Sequence, residues 1–177
     1  VAQKKKAIDT WIFGEAFYRG IMINLSHPMA KSSKHVANAI THELFHVMQY
    51  EIVGPKAKRC CAPNRVSVVG PTWLMEGSAD YFQNSLNRSN FRNYLTYGRK
   101  NKSDLGSGGL RQLETFKGMN ALETGYAISG YAVSKLVKTS GDAALVAFYE
   151  DIGKGANWKQ AFARNFKITP EEFYSAF

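Results

Sequence analysis

Val36-Ala37-Asn38-Ala39-Ile40-Thr41-His42-Glu43-Leu44-Phe45-His46-Val47-Met48 carries apolar residues at three- and four-residue intervals. That period marks an amphipathic helix. Ser32-Ser33 offers its cap, the apolar stripe runs through Val36, Ile40, Leu44, Val47 and Met48, and Gly54-Pro55 stops it after about Ile52. Within it stands H-E-x-x-H, His42-Glu43-Leu44-Phe45-His46. Residues four apart on a helix lie about 40° apart in azimuth and about 6 Å along the axis, so both imidazoles can face one metal ion. Glu43 is beside them, placed to reach a water held by that ion without ligating.

Outward from this helix the chain reads as mainly helical. Upstream, Trp11-Ile12-Phe13 and Tyr18–Leu25 are rich in aromatic and branched residues and are split by Gly14 and Gly20, which predicts two short strands within about residues 8–25. Downstream, 54–71 is a basic loop, Thr72 caps a helix to about Leu86, and Phe91–Lys100 is helical. Residues 101–109 read as a flexible loop, and Glu123–Lys138, apolar nearly all round, as a buried helix. Asp142–Ile152 and Asn157–Asn165 are short helices, and Thr169-Pro170-Glu171-Glu172 is a capping box opening a helix to Phe177. No repeat or linker interrupts residues 1–177, so one α+β domain is expected, helical from about residue 33.

The third metal ligand separates types of site. A glycine three residues after His46 and a histidine six after it would complete an all-histidine set, but Gln49 and Ile52 stand there. Among the carboxylates, Glu51 lies on the same helix and a different face. Glu76, in Trp73-Leu74-Met75-Glu76-Gly77, opens a second helix able to pack across the first. Asp80 follows four residues later on the same face, placed to accept the outer N–H of a ligand histidine. The bland alternatives are a favourable acid in a first helical turn for Glu76 and an exposed acid for Asp80.

H-E-x-x-H with a later W-L-x-E-G resembles the gluzincin zinc metallopeptidases, in particular relatives of the aminopeptidase N catalytic domain. The Glu76–Asp80 run is also similar to the E-x-x-x-D helix of thermolysin-like enzymes. The resemblance covers roughly residues 20–140 and is specific for the superfamily, not for a substrate. It implies a zincin-like fold: a small N-terminal antiparallel sheet packed on a zinc-binding helix pair, followed by a helical C-terminal part. It further implies one Zn²⁺ per chain on His42, His46 and Glu76, Glu43 as general base, and Asp80 behind a ligand histidine.

The aminopeptidase relatives carry G-x-M-E-N on an edge strand, with a Glu that holds the substrate's free amine. Here Gly20-Ile21-Met22-Ile23-Asn24 would put Ile23 at that Glu, which favours an endopeptidase. His27 and His35 lie upstream, so the downstream catalytic histidine of thermolysin-like enzymes is missing. The relatives use a tyrosine for that role. Tyr126 is preferred over Tyr131, both of which could instead be core aromatics.

The reading is a zinc-dependent peptidase acting on a peptide or protein substrate through a Glu-activated water. The alternative is a non-catalytic zinc-holding scaffold or interaction domain. The net charge of +9 would suit nucleic acid or an anionic surface, but no motif for either accompanies it. Cys60 and Cys61, the two cysteines, are adjacent and cannot staple distant segments. No apolar run is long enough for a membrane span, and no apolar stretch follows Lys4-Lys5-Lys6 to make a signal peptide. The start at Val1 reads as a processed or trimmed chain, which leaves compartment and export of a longer precursor open.

Overall fold

The computed structural model describes residues 13–17, 19–59, 64–86 and 88–177. These form a mainly helical structure with a small antiparallel sheet ahead of the helices. Strands β1 (Gly14–Phe17) and β2 (Gly20–Ile23) pair with Gly14 opposite Ile23 and Phe17 opposite Gly20. Arg19, at φ 71°, supplies the left-handed residue that a two-residue hairpin connection uses. The expected breaks at Gly14 and Gly20 are instead the first residues of the two strands, and Phe13 precedes β1. Trp11 and Ile12, with Cys60 and Cys61, lie outside the described residues.

Helix α1 spans Ser33–Val53, capped by the Ser32 hydroxyl and closed by Gly54 at φ 74°. Its inward face is not the expected apolar stripe. Leu44 is 53% exposed and Val36, Ile40, Val47 and Met48 are half-buried, whereas Glu43, Phe45, His46, Gln49, Tyr50 and Val53 are buried. The helix turns polar side chains toward the interior, and the hairpin packs along it.

Helix α2 (Thr72–Ser85) begins after Pro71, so Thr72 is its first residue and not its cap. Proline before the first turn sacrifices no needed donor, and Thr72 through Ala79 are all buried. Glu76 is therefore in the second turn, and Leu86 falls just past the end. Trp73 anchors the helix: fully buried, it stacks on Phe173 and donates its indole N–H to the Tyr174 hydroxyl at 3.1 Å. The basic segment before α2 is not wholly irregular, because Gly54–Arg59 forms a 3-10 turn and Ser67 bridges Gly70.

Helix α3 (Arg88–Lys100) starts three residues earlier than its apolar residues suggested. The expected flexible loop is a 3-10 stretch, Lys102–Glu114, kinked at Gly106 and Gly109. Leu105, Leu110 and Leu113 are buried and hold it on the core. A short helix α4 (Phe116–Asn120), capped by Thr115, precedes α5 (Gly125–Ser140). Then α6 (Ala143–Gly153), α7 (Trp158–Phe166) and α8 (Pro170–Ala176) follow, the last with both hydrogen bonds of the Thr169–Glu172 capping box. Among the described residues no helix is long and apolar enough to cross a membrane.

Three glycines set how closely the central helices approach. A Cβ on Gly77 would lie 2.6 Å from the Ser129 carbonyl on α5, which explains why glycine follows Glu76. One on Gly98 of α3 would overlap the Ala127 carbonyl of α5, and one on Gly130 would overlap the Tyr94 hydroxyl. Helices α2, α3 and α5 thus meet nearly backbone to backbone.

Candidate metal centre

Three electron-donating atoms converge where α1 crosses α2. His42 Nε2 and His46 Nε2 lie 3.1 Å apart, and each is 3.3 Å from Glu76 Oε2. His46 and Glu76 are each only 5% exposed. In a tetrahedral site with bonds of about 2.0–2.2 Å, neighbouring ligand atoms are separated by about 3.3–3.5 Å. The observed triangle is within a few tenths of an ångström of that.

The outer ring nitrogens define the tautomers. His42 Nδ1 lies 3.0 Å from Asp80 Oδ1, a carboxylate oxygen that accepts and does not donate. His46 Nδ1 lies 2.7 Å from Gln49 Oε1. The Gln49 amide orientation follows from its other end, whose Nε2 donates to the Met75 carbonyl at 3.1 Å and to the Tyr149 hydroxyl at 2.8 Å. Both histidines therefore donate from Nδ1, which leaves lone pairs on both Nε2 atoms facing a carboxylate. Lone pairs converging at this spacing can share one cation, a proton or a metal, and the donor set of two imidazoles and one carboxylate fits a metal ion.

The electrostatics point the same way. Burial opposes charge on His42, but hydrogen bonds to Asp80 and Glu76, and their charges, outweigh it and raise its pKa well above the ordinary value. Burial would raise Glu76, yet with the histidines protonated the charge of His46 and hydrogen bonds from both rings hold it far below the usual carboxylate range. The pocket attracts positive charge, whether proton or metal.

Glu43 is placed beside the triangle and outside it. Its carboxylate packs on Gly14 of β1, where a Cβ would come within 2.7 Å of Glu43 Oε1. Burial raises its pKa, Glu76 and Glu15 reinforce the rise, and His42 and His46 oppose it. It lines a cleft of about 510 Å³ together with His42, Asp80, Tyr126, Phe13 and Gly14. Asn38, Gln83 and Asn120 place carboxamides around the same cleft, suited to peptide groups.

The tyrosines separate. Tyr126 enters the cleft from α5, its ring centroid 6.4 Å from that of His42. The Glu76 charge is the largest influence on its hydroxyl, with burial, Asp80 and Glu43 adding to it, so it stays a neutral donor. Tyr131 packs on Phe177 and lines a different depression. On the peptidase reading expected from the sequence, replacing Tyr126 by Phe is expected to lower turnover about 10²–10³-fold with metal content unchanged, as loss of one oxyanion donor does. Steady-state rates and metal analysis on the same sample decide it; an unchanged rate removes Tyr126 from the chemistry.

Two supports were not visible as such in the sequence. In the sequence Gln49 marks only the place where a glycine would stand, although its i+3 spacing from His46 is itself a signal. Tyr94, on α3, donates to Asp80 Oδ2 at 2.9 Å and so braces the acid behind His42. The structure also shifts the strand that faces the site. Phe13 and Gly14, not Ile23, line the cleft, and Ile23 is opposite Gly14 in the neighbouring strand. Compared with known proteins, the chain matches no family model, no curated protein and no solved structure.

Proposed function

We propose that the chain is a zinc-dependent peptidase of the gluzincin type, with zinc held by His42, His46 and Glu76. The observation that carries this is the triangle of three lone-pair donors with Glu43 standing beside it, unligating and in an open cleft. Two imidazoles and a carboxylate suit zinc among the common divalent ions, and three protein ligands are the number catalytic sites use. Asp80 and Gln49 orient the two rings, the arrangement found behind metal-bound histidines generally.

When bound, zinc supplies Lewis acidity, polarising a peptide carbonyl and lowering the pKa of a water to about 7. Glu43 accepts the proton of the attacking water and returns it to the departing amine. Its raised pKa suits both directions of transfer, since a carboxyl that ionises too readily would release the proton poorly. Tyr126 donates to the oxygen that becomes negative as the carbonyl carbon turns tetrahedral. Gly14 of β1 and Phe13 just before it line the cleft, where the strand backbone can align an extended substrate.

A non-catalytic scaffold would need the three ligands but not a buried carboxylate beside them. Glu43 is 8% exposed, and keeping an acid there works against folding. That favours the enzyme. The test is metal analysis with cleavage of a mixed peptide library, before and after chelation. About one zinc per chain, cleavage abolished by the chelator and restored by one equivalent of zinc is the expected result. Zinc without cleavage of any peptide transfers the chain to the scaffold class, and failure to take up zinc overturns both.

A further inference from the structure

Apart from the cleft, a second depression of about 430 Å³ lies along α3 and is closed by Tyr131 of α5. Phe91, Leu95 and Tyr131, each half-buried, provide its apolar surface, and Thr96 adds a hydroxyl. Arg92 and Arg99, both exposed, complete the lining, which contains no acid. Neither arginine forms an ion pair among the described residues, although four other basic side chains do. Seven residues apart, they share one face of α3, with about 10 Å between their backbone positions. Basic charge continues beyond Arg99: burial and the neighbouring Lys135 together hold the Lys102 ammonium below its ordinary pKa.

We infer that this depression between α3 and α5 docks an acidic peptide segment, with an apolar side chain seated on Phe91, Leu95 and Tyr131 and carboxylates paired to Arg92 and Arg99. Charge complementarity selects the occupant. Paired guanidinium forks bind carboxylates bidentately, and three residues of extended peptide span about 10 Å, the separation of the two arginines. A nucleic acid strand would need a phosphate track and exposed rings for base stacking. Here the lining offers two cations and no continuous track, and Phe91 and Tyr131 are half-buried rather than displayed as stacking platforms. The proposed peptidase reading enters only in making this segment part of a substrate, because binding itself needs no chemistry.

The test uses the whole chain carrying Glu43→Gln, so that cleavage does not consume the ligand. The probe is a capped peptide with two glutamates three residues apart and a leucine between them, titrated by NMR into isotopically labelled protein. Shifts are expected at the amides of Phe91–Arg99 and Tyr131. Arg92→Gln with Arg99→Gln is expected to weaken binding about tenfold, in line with two partly exposed pairs. Lys34→Gln with Lys138→Gln, an equal charge loss elsewhere, is expected to leave affinity unchanged. Four results overturn the inference: no shifts at α3, equal weakening by the lysine pair, equal binding of a probe with glycine for leucine, or stronger binding of a thymidine oligonucleotide to the same residues. Peptide docking without any peptidase activity supports the groove while refuting the substrate link, so the two failures remain distinguishable.

Discussion

Glu43→Gln is expected to lower peptide hydrolysis about 10²–10⁴-fold, the usual contribution of a positioned general base. Zinc content should stay at the parent value, because Glu43 is not among the three converging donors. Glutamine keeps the shape that packs against Gly14, so the cleft retains its form. What it loses is the capacity to take a proton. The same change is expected to hold or raise thermal stability at neutral pH. The sign follows from the raised pKa: the folded state binds the Glu43 proton more tightly than the unfolded chain. Stability contributed by that proton is present below the ordinary carboxyl pKa and is lost as pH rises through the raised one. A neutral amide avoids that loss. Rates, zinc analysis and a melting curve on one preparation test all three statements, and a variant retaining more than a tenth of parental activity would end the general-base assignment.

The second large effect is expected at a residue that touches no substrate. Gln49→Leu removes the acceptor for His46 Nδ1 and the donor to the Met75 carbonyl in a fully buried position. Each buried polar group left unpaired costs about 1–3 kcal/mol, so a loss of about 2–4 kcal/mol is expected in chemical denaturation of the metal-free protein. Zinc affinity should fall about 10–100-fold, as it does when the partner behind a ligand histidine is removed. The two readouts separate an effect on the fold from an effect on the ligand. A large stability loss with unchanged zinc affinity would make Gln49 a tie between helices and nothing more.

Much of the site was legible because helix geometry is local. The four-residue spacing of His42 and His46, and of Glu76 and Asp80, needs only a helix to acquire meaning, and both helices form. Glu76 was identified by the absence of a third histidine and by its own motif, although it occupies the second turn rather than the first. The cap of α2 was misread because Thr72 is a common cap residue, while here Pro71 ends the preceding segment. The stripe through Leu44 misled for a different reason. Periodicity reports that a helix has two faces, and burial depends on what packs there; here α2 and β1 pack on α1 so that Glu43, Phe45, His46 and Gln49 are buried and Leu44 is not. Gln49, Gly14 and Tyr94 act across the fold, through partners distant in sequence. Their partners become identifiable only once the helices are packed.

The close glycine contacts have a consequence for motion. With Gly77 against Ser129, Gly98 against Ala127 and Gly130 against Tyr94, helices α2, α3 and α5 have no room to slide past one another. Glu76, Asp80 and Tyr126 ride on this block and move as one piece. The hairpin bearing Gly14 has no such interlock with that block and rests along α1. The cleft therefore has one wall, the strand side, without that interlock, and another, built of the interlocked helices, that carries Glu76, Asp80 and Tyr126, while His42, Glu43 and His46 stand between them on α1. A change in the seating of the hairpin would thus alter the width of the cleft without disturbing the packing beneath Glu76, Asp80 and Tyr126.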